Sequence, residues 1–298
     1  WFVSHWWGEA VREFIRCLDQ HRIDHYLSPD TPYWVCAYAN NQWDLGGALV
    51  EDPGKTSFHK AMALADGTVS VLDKAGNVFT RIWCGYEVYV SLVDAKADYK
   101  WVVYTAEGVR VEDDKSTQRR WKKGDPCGAV GLTDGFAPRD DNDSSSKQYR
   151  EKHFPFKLAQ QALSITLETA QASVESDKTH ILNKMIGAAD LNARLPERHE
   201  RYDRLNETLR ARFAAGSLRA ALEHGEGAAR PFYSALAKGR MHELSLDFFL
   251  CAAFDAKAAK ALVDSMPATL EKLTLRSNDV GPELAVALAP WLRVNGAL

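Results

Sequence analysis

Thr68-Val69-Ser70-Val71-Leu72-Asp73 runs into the turn Lys74-Ala75-Gly76-Asn77, and Ile82, Tyr86, Val90 and Val93 then recur along one helix face. The first six residues are mostly β-branched or apolar, the composition of a strand. A strand, a short turn and a helix form half of a parallel crossover unit. The same unit repeats upstream. Trp1-Phe2-Val3-Ser4-His5-Trp6-Trp7 is a strand-like aromatic run ending at Gly8, and Val11, Phe14, Ile15 and Leu18 follow at i, i+3, i+4 and i+7. Tyr33 to Ala39 reads as a buried strand, because its apolar run is continuous rather than alternating. After a loop from Asn40 to Gly54, Thr56 or Ser57 can cap a short helix that turns Phe58, Met62 and Ala65 inward. Downstream, Trp101-Val102-Val103-Tyr104 is a fourth strand, and one more is expected near Cys127 to Leu132. Strand–helix alternation of this kind predicts an α/β fold with a mostly parallel sheet.

The pattern decays from Glu107 to Lys157, where paired charges and an Asp/Asn/Ser run predict a long polar loop. Residues 158–240 read as a helical linker region, with Leu163, Leu167 and Ala170, then Ile181, Leu182, Met185 and Ile186, then Leu205, Leu209 and Phe213 facing inward. Residues 241–298 hold a repeat. Leu244-Ser245-Leu246 and Leu273-Thr274-Leu275 lie 29 positions apart. The second copy reads Leu270-x-x-Leu273-x-Leu275-x-x-Asn278, with Leu284 and Leu288 on a following helix face. This is the pattern of a long, helix-containing leucine-rich repeat, similar to the ribonuclease-inhibitor type, and it predicts the start of a solenoid. Phe249 stands where the first copy would carry its Asn. One strand–helix unit cannot bury its own face, so the array is expected to be cut at its C-terminus. The start at Trp1, already inside a strand pattern, likewise reads as a cut N-terminus. The expected domains are therefore 1–157, 158–240 and 241–298.

Composition excludes several classes. The chain has 298 residues, a hydrophobic fraction of 46% and a net charge of −3. Collagen-like, coiled-coil and wholly disordered chains do not have this balance. No apolar run reaches about 18 residues, so no membrane span is expected. No basic stripe points to nucleic acid. The cysteines are five, an odd number, with no C-x-x-C pair, and Cys36, Cys84 and Cys251 lie in apolar segments. That usage predicts reduced core thiols and a cytoplasmic, intracellular setting.

The strongest local signal is Phe79-Thr80-Arg81-Ile82-Trp83-Cys84-Gly85-Tyr86-Glu87, together with Phe2-Val3-Ser4-His5-Trp6-Trp7-Gly8-Glu9. Over residues 1–105 these segments resemble TIR-like domains, which open with a strand such as F-(I/L/V)-S and carry W-C-x-x-E on the helix after the third strand. The resemblance implies a flavodoxin-like sheet. It also implies two activities, assembly through the domain itself or, in the enzymatic branch, cleavage of the nicotinamide–ribose bond of NAD. By that match Glu87 would be the catalytic acid, with Ser4, Gly8, Trp43 and Trp83 lining the cleft. A carboxylate in an aromatic cleft can stabilise an oxocarbenium-like ribose. Arg81 departs from the family, which often has Ser there, and the bulk of His5-Trp6-Trp7 could fill the pocket. The alternative for Glu87 is a carboxylate paired with Arg81 or Arg12 at the helix surface.

Other candidates are weaker. Trp34 is expected in the core. His5 reads as a satisfied core histidine rather than a partner for Cys36 or Cys84. His21 and His25 are i, i+4 on a helix with no third ligand, so an exposed helix face is expected and no metal site. The combined expectation is an intracellular signalling or receptor-type protein. The TIR-like module would self-associate, and the leucine-rich repeats would capture protein partners. No cofactor is required, and NAD would enter as substrate.

Overall fold

The computed structural model describes residues 1–40, 51–96, 98–109, 126–132, 147, 149–248, 251–276 and 281–294. Two compact units emerge. The first comprises residues 1–131 and 165–206, the second 132–164 and 207–298.

The first unit is built on β1 (Phe2–His5), α1 (Val11–Asp24), β2 (Trp34–Val35), α2 (Cys36–Ala39), α3 (Ser57–Leu64), β3 (Gly67–Leu72), α4 (Ile82–Tyr89), β4 (Lys100–Val109) and β5 (Pro126–Leu132). The sheet order is β2-β1-β3-β4-β5, and β1 pairs in parallel with β2 and β3, as β3 does with β4. The mixed α/β architecture with a mostly parallel sheet is as the strand–helix alternation predicts. Winding reverses between β1 and β3, and the crevice beyond the carboxyl ends of strands at such a switch point is where open α/β sheets bind ligands.

Register sorts the side chains by face. Val3 pairs with Val69 and Val69 with Val102, and these pack with Val71, Tyr104, Phe14 and Cys17 in one core under α1. On the other face Phe2 aligns with Thr68 and Trp101, and Ser4 with Ser70 and Val103. That face carries polar groups in its buried layer, and α4 approaches it. Thr56 caps α3 by accepting a hydrogen bond from the His59 N–H, a contact worth about 1 kcal/mol.

Several expectations are corrected. The strand at Tyr33 to Ala39 pairs only at Trp34–Val35, and Cys36–Ala39 is a helical turn. A short apolar run fits either state, and two alanines favour the helix. α4 continues as a π-helical turn at Val90–Asp94, which shifts the face and leaves Val93 59% exposed rather than inward. Leu167 and Ala170 are buried but in a 3₁₀ turn and its cap, not in a long helix. His21 and His25 are buried, not exposed, because they extend the face of Phe14 and Cys17. Trp1 and Tyr104 close over them.

α5 (Phe156–Ala162) belongs to the second unit and α6 (Glu175–Ile186) to the first, where Ile181, Leu182 and Met185 face inward as expected. The second unit takes α5 together with most of α7 (Glu200–Glu223), α8 (Glu226–Lys238), β6 (Glu243–Asp247), α9 (Ala256–Asp264), β7 (Lys272–Arg276) and α10 (Gly281–Val294). Its core includes Leu209, Phe213, Phe232, Leu236, Leu244, Leu246 and Leu262. Phe156 stacks on both His224 and Phe232. β6 and β7 pair in parallel, with Leu244 opposite Leu273 and Leu246 opposite Leu275, so the 29-residue spacing is also the register. Asn278 and Phe249 lie outside the described residues. Among the described residues no helix is long and apolar enough to cross a membrane.

Candidate functional site

Glu87 sits on the inner side of α4, over the polar face of the sheet, and is 4% exposed. This is not a surface carboxylate held by Arg81 or Arg12. Burial pushes its pKa from 4.5 up to about 8, and the nearby Ser4 hydroxyl and Cys84 thiol offset this only in part. Desolvation disfavours the charged form, so Glu87 is mostly protonated at neutral pH. Ser4 Oγ and Glu87 Oε2 are both buried, and neither completes a hydrogen bond among the described residues. The backbone beneath is well held. Ser91, in the π-helical turn, donates to the Glu87 carbonyl at 2.7 Å and lies 2.9 Å from Thr68 Oγ1. Thr68 in turn meets the Tyr99 hydroxyl at 2.8 Å, and the Trp101 indole donates to Ser70 Oγ at 3.0 Å.

Two buried thiols flank the carboxyl. Cys84 donates weakly to the His5 carbonyl at 3.7 Å, and Cys36 accepts from the Trp7 indole at 3.2 Å. Burial, then the Glu87 charge, holds both thiols well above their ordinary pKa. They are therefore poor nucleophiles. His5 offers its carbonyl rather than its ring, and its Nε2 is buried without a partner. It is not the satisfied core histidine expected.

Of the expected cleft residues, Ser4 meets Glu87. Trp83 stands one turn before Glu87, stacks on Phe58 with centroids 5.3 Å apart and donates its indole N–H to Asp177 at 3.0 Å. Phe58 meets Trp34, which stacks on Phe2, so these rings form a continuous aromatic ladder. Trp34 is half-buried within it. Gly8 leaves room for the Trp6 ring, which a Cβ at position 8 would strike. Trp43 lies outside the described residues.

Compared with known proteins, the chain matches no family model, no curated protein and no solved structure.

Glu9, in the loop after β1, closes the opening motif of the sequence but carries no site role in the sequence reading. Both of its carboxyl oxygens are buried without a partner. Burial, then the charges of Asp73 and Glu13, raises its pKa to about 8. Its place at the carboxyl end of β1 was the available signal. Asp73 is engaged in its own turn, accepting from the Asn77 and Ala75 amides, and no group of three His, Cys, Asp or Glu able to hold a metal occurs among the described residues. The site as built holds a neutral acid beside a hydroxyl in a closed, aromatic-rimmed layer. It can exchange one proton near pH 8.

Proposed function

We propose that the protein is an intracellular signalling or receptor-type molecule. Its TIR-like first unit assembles by self-association, and its leucine-rich-repeat segment recognises protein partners. The observation that carries this reading is the closure over Glu87, whose carboxyl is 4% exposed and has thiols and a hydroxyl for neighbours. An interaction surface stands outside that layer. Val11 and Ile15, one turn apart on α1, are 58% and 52% exposed, and Trp7 precedes them on the surface. Clustered exposed apolar side chains mark contact surfaces. The test is light scattering across a concentration series. Wild type is expected to self-associate, and Val11→Asp with Ile15→Asp to stay monomeric; a wild type that is monomeric throughout overturns the reading.

A second reading is favoured by one specific feature. A buried carboxyl with one oxygen, Oε2, lacking a hydrogen-bond partner costs stability, and such groups cluster at functional sites. In this reading NAD is the substrate, the nicotinamide–ribose bond breaks, water adds to the ribose carbon and nicotinamide leaves. Glu87 carboxylate would stabilise the positive charge on the ribose. Nicotinamide release from NAD, wild type beside Glu87→Ala, decides it. Release that rises as pH passes about 8 and vanishes in Glu87→Ala supports the enzyme; release that persists in the variant removes Glu87 from the role.

A further inference from the structure

Three hydroxyls stand in line behind Glu87, and a count of their hydrogens gives the line a direction. The Glu87 carbonyl can only accept, so Ser91 spends its single hydroxyl hydrogen there, at 2.7 Å. Thr68 must then donate across the 2.9 Å between its Oγ1 and Ser91 Oγ. That leaves Thr68 no hydrogen for Tyr99, so the phenol donates to it at 2.8 Å. The chain runs from Tyr99 to Thr68 to Ser91 to the Glu87 carbonyl, each bond polarising the next. It crosses three pieces of backbone: the residue before β4, strand β3 and the π-helical turn after α4. Ser91 and Thr68 are buried, and Tyr99 is half-buried. The Glu87 carboxyl itself has Ser4 and Cys84 for neighbours. Ser4 is in register with Ser70, two residues along β3 from Thr68, so the chain grips the helix one step away from the carboxyl. π-helical turns are frequent at functional sites. Here the widened turn is tied to β3, and the tie sets where along the sheet Glu87 stands.

We infer that Ser91, held by Thr68 and Tyr99, is the positioning residue of this site: acting through the backbone, it keeps the Glu87 carboxyl facing Ser4 and out of water. As part of a reaction this rests on the NAD-cleaving reading above; as a hold on the carboxyl it is measured without NAD. The other titratable groups that face the carboxyl are the Cys84 and Cys36 thiols and the Tyr99 phenol. All three are held above their ordinary pKa, by burial first and by the Glu87 charge among the lesser causes. None of them changes charge near neutral pH, so a titration seen there at the carboxyl belongs to Glu87.

The test follows the Glu87 carboxyl carbon by NMR in the full chain as pH is raised, with Glu87→Gln assigning the signal. Wild type is expected to titrate at about 8. Thr68→Val keeps the shape of the side chain and removes the hydroxyl, whereas Thr68→Ser keeps the hydroxyl and removes the methyl group. If the chain positions Glu87, the valine variant is the damaging one. Water then reaches the carboxyl, and the midpoint falls by about one pH unit or more, as it does in Ser91→Ala, while Thr68→Ser stays at the wild-type value. A role in packing alone reverses the order of the two Thr68 variants. That reversal, a midpoint unmoved in both Thr68→Val and Ser91→Ala, or a wild-type midpoint at the ordinary 4.5 overturns the inference. Nicotinamide release is assayed on the same proteins. A pH profile of release that shifts with the NMR midpoint supports the part in the reaction. A wild type that releases none removes the NAD reading, and the hold on Glu87 is still decided by the NMR titration.

Discussion

Glu87 and Ser4 meet in the buried layer between α4 and β1, each with an oxygen that has no hydrogen-bond partner. Two polar groups from positions more than eighty residues apart thus share a water-poor space. The layer tolerates them because the acid holds its proton.

That proton makes stability fall with rising pH. Glu87 titrates near 4.5 when unfolded and near 8 when folded. Between those values the unfolded chain loses the proton and the folded chain keeps it. The stabilisation from this group is therefore complete below about pH 4.5 and lost as pH rises toward 8, at up to about 1.4 kcal/mol per pH unit. Glu87→Gln removes this slope and should be the more stable protein at pH 8. Thermal unfolding from pH 5 to 9 checks it, and parallel curves for the two proteins would count against a protonated Glu87.

His21 produces the opposite trend. Burial, then the neighbouring His25, lowers its pKa from 6.5 to about 2, while its Nδ1 meets the Tyr33 hydroxyl at 2.7 Å. Below pH 6.5 the unfolded chain takes up a proton that the folded chain refuses. Its contribution is complete above that pH and fades as pH falls toward 2. His21→Gln, which keeps a polar group for Tyr33, should flatten the acid limb of a urea-midpoint profile between pH 4.5 and 7. An unchanged limb would assign acid sensitivity to other groups.

These two residues also mark what the sequence could and could not reveal. Glu87 is singled out only by the resemblance of Trp83-Cys84-Gly85-Tyr86-Glu87 to a family motif, whereas the inward side of α4 follows from Ile82 and Tyr86. Its meeting with Ser4 depends on β1 lying beside β3, a pairing that local pattern does not specify. His21 and His25 were misread because imidazoles suit water as well as a core. The rings that bury them, Trp1 and Tyr104, come from the residue preceding β1 and from β4 respectively. Val93 was misplaced because a π-helical turn breaks the 3.6-residue period on which the reading relied. The 29-residue spacing of Leu244 and Leu273 is legible as a register, since a fixed spacing becomes one directly when strands are parallel and consecutive.

Gly67 is a close-approach position. It pairs with Lys100, and a Cβ there would come within 2.5 Å of the Lys100 carbonyl and 2.7 Å of the Trp1 ring. Backbone of a central strand cannot shift as a side-chain tip can. Gly67→Ala should therefore cost about 3 kcal/mol, the upper part of the usual overpacking range. Denaturant unfolding measures this, and a loss under about 0.5 kcal/mol would mean that β3 and β4 separate easily.

In the second unit, Lys147 and Glu151 form an ion pair one helical turn apart, with both side chains almost fully buried. Such a pair gains little over an apolar one, because desolvation offsets the attraction. Breaking it is different. Glu151→Ala leaves the Lys147 ammonium without its paired carboxylate and should cost about 3–5 kcal/mol. Lys147→Met combined with Glu151→Leu removes both charges together and should recover most of that loss. A double-mutant cycle on urea midpoints separates the two contributions. Additive losses, with no recovery in the double variant, would show that the two side chains act independently and that the pair does not hold this part of the core.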